Sequence, residues 1–85
     1  MYIIKQHYEA TEKNTNFAGI IRDYYSGKGG FIIGIENEFP NKHQIECCGY
    51  STLAAAKRGL KAAHECAEWE TKNGWWVVTA ELVEC

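Results

Sequence analysis

Eighty-five residues with an apolar fraction of 46% fit one folded α+β domain spanning 1–85, and argue against a second core or a disordered chain. The formal charge of −2 runs against the positive excess of nucleic-acid-binding domains, so no sequence-specific contact with nucleic acid is expected. No apolar run reaches the roughly 18 residues of a membrane span, and the N-terminal segment Met1-Tyr-Ile-Ile-Lys-Gln-His7 lacks the apolar centre of a signal peptide, so a cytoplasmic location is expected.

Tyr2 to Glu9 reads as a first strand, with Ile4 and Tyr8 on one face and Ile3, Lys5 and His7 on the other. Ala10 to Asn16 is polar and reads as a loop. Phe17 to Tyr25, rich in β-branched and aromatic residues, reads as a second strand. The turn signal Ser26-Gly-Lys-Gly-Gly30 leads into a third, Phe31 to Glu38, with Phe31, Ile33 and Ile35 on one face. Pro40 and Asn41 mark the next turn, and Gln44 to Tyr50 reads as a short fourth strand. Ser51 is a good N-cap for a helix from Ser51 to Trp69, since its hydroxyl can accept from a first-turn N–H. Asn73-Gly74 breaks that pattern, and Trp76, Val78, Ala80 and Leu82 alternate along a last strand, Trp75 to Glu84. The order β-β-β-β-α-β predicts a two-layer α+β fold in which an antiparallel sheet of about five strands curls around one helix.

The helix carries Leu53, Ala56, Leu60, Ala63 and Ala67 at intervals of three and four, which places them on one side. Beside them runs a stripe of small residues, Ala55, Gly59, Ala62 and Cys66. Glycine in a helix interior costs about 1 kcal/mol relative to alanine, so Gly59 implies close approach of another backbone. The curled sheet is the expected neighbour; a homodimer contact through the stripe is the alternative. The remaining arc holds Lys57, Arg58, Lys61, His64, Glu65 and Glu68, with Lys61 and Glu65 spaced to pair. Such an arc is either a solvated face or a partner-binding face with Lys57, Arg58 and Lys61 as its positive cluster.

Chemistry finds little support in the residue spacing. His43, Cys47, Cys48, His64 and Cys66 are suitable metal ligands by type, but Cys47 and Cys48 diverge on a strand and His64 and Cys66 diverge on a helix, so no metal is expected. The four cysteines are expected as reduced thiols. The Ser26–Gly30 glycines sit between strands and not before a helix, as a Walker loop requires, and positive φ in a turn explains them. No cofactor is expected, and no nucleophile elbow or Cys/His spacing marks a catalytic site, so the chain is read as a non-enzyme. What remains is a binding protein. Aromatic residues dominate interface energetics, and of each adjacent pair, Trp75/Trp76 and Tyr24/Tyr25, one member must face away from the core; Trp75 and Tyr25 are taken as the outward candidates.

The segments Tyr2-Ile-Ile-Lys5, Gln44-Ile-Glu46, Ala55-Ala-Lys-Arg58 and Glu70-Thr-Lys-Asn73-Gly-Trp-Trp76 occur in that order. Together they resemble small phage-borne anti-CRISPR proteins, in particular an inhibitor family of type I-F surveillance complexes. This chain carries an additional stretch, Phe17 to Lys42. The resemblance implies a sheet wrapped around one helix and binding to the effector backbone subunits that hold guide RNA, which obstructs target DNA. Lys57 and Arg58 are the matching helix residues. Two further resemblances are local: Gly49-Tyr-Ser-Thr52 before an alanine-rich helix is similar to YegP-like domains, and the strand-then-helix order is similar to HicB antitoxins. The readings are therefore a CRISPR-effector inhibitor, an antitoxin-like or housekeeping binding module, or a small-ligand sponge using the Ser26–Gly30 turn with Tyr24 or Tyr25. If the inhibitor instead mimics acid, Asp23, Glu36 and Glu46 are its candidates.

Overall fold

In the computed structural model, which describes residues 1–35 and 37–85, six elements follow one another: β1 (Tyr2–Ala10), β2 (Ile21–Ser26), β3 (Ile32–Gly34), α1 (Lys42–Cys48), α2 (Leu53–Asn73) and β4 (Trp76–Glu84). The strands form one antiparallel sheet in the order β3-β2-β1-β4. β1 is thus central, paired with its sequence neighbour on one side and with the last strand on the other. Tyr2 lies opposite Glu84, and the Cys85 amide donates to the Met1 carbonyl at 2.8 Å, which places the two ends of the chain side by side.

The register sets the two faces. Ile4, Gln6 and Tyr8 lie in rows with Ser26, Tyr24 and Arg22 of β2 and with Leu82, Ala80 and Val78 of β4. This is the face that α2 covers. Ala56, Ala63 and Ala67 are the buried helix positions, while Leu60 is half-buried and Leu53 is 42% exposed. Small helix residues over Ile4 and Val78 let the helix sit close to the strands, so the sheet supplies the bulk of the contact. Ile3 and Ile4 are the largest fully buried side chains, on opposite faces of the same strand. On the second face, Phe39 packs edge-on to the buried Tyr25 with ring centroids 5.1 Å apart, and the Cys48 backbone lies directly against Gly27, where no Cβ fits.

The expected curled five-stranded sheet around one helix is not what forms. Among the described residues there are four strands and two α-helices, and α2 lies over β4 and β1 without being wrapped by β2 and β3. The expected fourth strand, Gln44 to Tyr50, is mostly helix α1. Its cause is a capping box: Asn41 Oδ1 accepts from the Gln44 amide at 2.9 Å, and Gln44 Oε1 accepts from the Asn41 amide at 2.8 Å. With that segment helical, no fifth strand remains to close around α2. β3 is only three residues long, since its pairing with β2 is irregular between Tyr25 and Ser26; of the longer strand expected there, Glu36 lies outside the described residues.

Helix α2 begins two residues later than expected and ends four residues later. Thr52, not Ser51, is its N-cap, accepting from the Ala55 amide at 3.2 Å, and Gly74 closes it in the left-handed region at φ 82°. At 21 residues it runs most of the 38 Å long dimension of the molecule. No helix among the described residues is long and apolar enough to cross a membrane.

β4 is an edge strand, and α2 reaches over that edge. The Thr71 hydroxyl accepts from the Val78 amide at 3.1 Å, and His64 Nε2 donates to the Ala80 carbonyl at 2.9 Å. Side chains thereby occupy backbone groups that another strand would otherwise use.

Candidate functional site

The side chains singled out for partner binding separate in space. Lys57, Arg58 and Lys61 are all exposed and make no ion pair among the described residues. The expected Lys61–Glu65 pair is not formed either; the ion pair at that spacing is Lys42–Glu46 on α1, at 3.9 Å. At about 100° per residue, the three cations span about 100° of the helix surface, with Lys61 in the middle. Arg58 lines the cleft beside the Ser26–Gly30 turn, and Lys57 stands at the other end of the arc. Trp75 is 46% exposed just before β4, with Lys13 Nζ 5.3 Å from its ring centre. Tyr25 is buried beneath Phe39 and offers no surface to a partner, a correction to its outward assignment. Trp76 faces the helix side, where it packs against Tyr8 and Phe17 with ring centroids 5.8 and 5.6 Å away.

Because α2 leaves β2 uncovered, a cleft of about 600 Å³ opens between the helix and the Ser26–Gly30 turn. Ile4, Gly59 and Ala63 form its apolar floor, and Lys28 and Arg58 stand on its two walls. Gly59 serves a purpose other than the expected backbone approach: an added Cβ there would collide with the Tyr50 phenol and come within 3.0 Å of Ile4 Cδ1. Tyr50 is fixed in turn, since its amide donates to the Tyr2 carbonyl at 2.8 Å and its carbonyl accepts from the Tyr2 amide at 2.9 Å. Gln6 lines both this cleft and a second groove formed with Tyr8, Tyr24, Ile32, Glu70 and Trp76. Tyr8 and Tyr24 meet edge-to-face at 5.2 Å. Burial first, and the Glu70 carboxylate second, push the Tyr8 phenol above its ordinary value.

The opposite sheet face holds a charge cluster in neighbouring rows. Lys5 lies between Asp23 and Glu81 at 3.7 and 3.8 Å, and His7 contacts Asp23 at 2.5 Å and Glu9 at 3.0 Å. The hydrogen bond with Asp23, then that with Glu9, raise the His7 pKa against the opposing effect of burial. Asp23 is thus already engaged within the protein, and Glu46 pairs with Lys42; the third acidic candidate, Glu36, lies outside the described residues.

On α1, Cys47 Sγ lies 3.6 Å from His43 Nε2, an exposed contact one helical turn apart. The expected divergence of Cys47 and Cys48 on a strand does not apply, because both are helical. No group of three or more metal-ligating side chains forms among the described residues, and all four thiols are free.

Of the cleft residues, Ser26 and Lys28 belong to the turn named in the small-ligand reading, whereas Gln6 and the facing helix wall were not part of it. The glycine-rich turn and the small helix stripe were both visible, but only the fold places them opposite each other. Comparisons with protein-family models, curated proteins and solved structures return no match for this chain.

Proposed function

We propose that this chain is a non-catalytic inhibitor that binds a CRISPR effector complex and obstructs its access to target DNA. The observation that carries the reading is the arc of Lys57, Arg58 and Lys61, three exposed cations without internal partners among the described residues, in a chain of net charge −2. The helix fixes the backbone of all three cations in advance, so binding a complementary surface costs side-chain ordering, about 0.5–1.5 kcal/mol each, without backbone ordering. The sequence resemblance adds to this, because three of its four segments lie on β1, α2 and the α2–β4 junction, which pack together. The fourth is in α1, so the resemblance extends to residues but not to the wrapped sheet. In this reading the cations meet acidic groups of an effector backbone subunit in the cytoplasm of a bacterial host.

The test is binding of a purified type I-F effector complex. Lys57→Glu combined with Lys61→Glu is expected to weaken binding about 30-fold, on the order of 2 kcal/mol, while the melting temperature stays unchanged because both side chains are exposed. Failure of the parent protein to bind, or equal binding by the folded variant, removes this reading. Recovery of a different specific partner from a bacterial lysate would then identify an antitoxin-like or housekeeping binding module.

A further inference from the structure

We propose that the cleft between α2 and the Ser26–Gly30 turn binds a nucleoside monophosphate, with the phosphate between Lys28 and Arg58 and the base extending along the Tyr24–Tyr8 groove. Charge is the first argument. The chain is net negative, yet Lys28 and Arg58 are the charged side chains of this cleft and no carboxylate lines it among the described residues. A site with cations of one sign and an apolar floor selects an anion with an apolar body.

The second argument is Ser26. It is 5% exposed and lines the cleft, so its hydroxyl is one of the few polar groups beside the apolar floor that a ligand oxygen can meet. The third argument is shape. Gly59 and the neighbouring alanines leave the helix wall without bulk, and Gly29 and Gly30, both at φ 75°, leave the turn wall without side chains. The resulting volume of about 600 Å³ is within the usual range of small-molecule sites.

The fourth argument distinguishes a nucleotide from a simple anion. Through Gln6 the cleft continues into the groove of Tyr8, Tyr24 and Trp76, where π-surfaces border the Glu70 carboxylate. A base can stack there, the Gln6 amide can both donate to and accept from its edge, and Glu70 can accept from an exocyclic amine. Lys57 and Lys61 do not line this cleft; Arg58 belongs to both surfaces, so Lys28 is the cation that distinguishes this site from the proposed protein interface.

The experiment is calorimetric titration of the intact chain with AMP, GMP, CMP and UMP, alongside inorganic phosphate and adenosine. At least one monophosphate is expected to saturate the protein, with phosphate alone and nucleoside alone each binding at least about tenfold more weakly. Lys28→Ala and Arg58→Ala, both at exposed positions, are each expected to weaken binding by about tenfold, the loss of one charge-assisted hydrogen bond. Lys72→Glu, an exposed position outside the cleft, is expected to leave it unchanged. A second readout uses Cys66, an exposed thiol on the cleft wall: bound nucleotide should slow its alkylation while leaving Cys47 and Cys85 reactive. The proposal is overturned by absence of saturable binding for all four monophosphates, by equal affinity for inorganic phosphate, or by binding that is indifferent to both cation variants and does not protect Cys66.

Discussion

Gly59 is the residue where two opposing energies can be separated. In an exposed helix interior, glycine-to-alanine gains about 1 kcal/mol. Here the added methyl runs into the Tyr50 phenol, whose backbone is held to Tyr2 by two hydrogen bonds and cannot withdraw freely. Overpacking of that kind costs about 1–3 kcal/mol, so Gly59→Ala is expected to be net destabilising. In a Tyr50→Ala background the phenol is gone and the remaining close contact, Ile4 Cδ1 at 3.0 Å, is the movable end of a side chain, so the same substitution is expected to become stabilising, by up to about 1 kcal/mol less the cost of that small shift. Chemical denaturation of the four proteins of this cycle checks the change of sign; a Gly59→Ala effect that is the same in both backgrounds would place the cost elsewhere. The anomaly of a mid-helix glycine was readable from the chain, but its partner was not. Tyr50 is nine positions away and reaches the helix only because α1 and the turn after it fold back onto β1.

Among the elements, the sheet face away from α2 has an energetic character of its own. Its rows carry Lys5, His7, Asp23, Glu9 and Glu81 where a two-sided core would carry apolar residues. The cross-strand pairs make this face sensitive to pH through His7. Its folded pKa lies above the ordinary 6.5, chiefly because of Asp23. Protonated His7 is therefore favoured by the fold, and its contribution to stability is complete below the unfolded pKa. That contribution falls away as pH rises through the higher folded value. A denaturation midpoint followed from about pH 5 to 9 should decline across that window in the parent and show no such decline in His7→Gln. An identical profile in both proteins would assign the pH dependence to other groups. Lys5, held between Asp23 and Glu81, tempers the effect by placing a cation beside the same carboxylate. The elements themselves differ in how plainly the chain announces them. β1, α2 and β4 have long unbroken periodicity, and each appears where it was expected to within a few residues. In the Phe17–Tyr50 region β2 and β3 form at the expected places but shorter, where glycines interrupt the alternation, and the expected fourth strand gives way to the Asn41/Gln44 capping box. In Ile45–Cys48, a local pair of side-chain-to-backbone hydrogen bonds outweighed an apparent strand pattern.

For the whole molecule, the order of strands decides what can be learned locally. The helix cations were legible because they sit within five consecutive positions on one element. The cleft was not, because its walls come from β1, from the turn after β2 and from α2, and only the order β3-β2-β1-β4 brings them together. That same order has a consequence for how the protein is made. β1 leaves the ribosome first and β4 last, yet each residue from Tyr2 to Ala10 needs a partner between Trp76 and Glu84. The longest-range pairing joins the inner strand β1 to the edge strand β4, so closing it carries the full entropic cost of the intervening chain. During synthesis β1 can hold a β2 hairpin, but α2 has no finished surface to dock on. A nascent chain stalled before β4 has emerged is expected to be cut rapidly by protease, with protection arriving in one step once the last strand is clear. Protection already present in the stalled chain would show that β1, β2 and α2 form a stable unit alone. Until Trp76–Glu84 can pair with β1, Ile3 and Ile4 lack part of their cover, and the nascent chain is expected to be a client for whatever shields them.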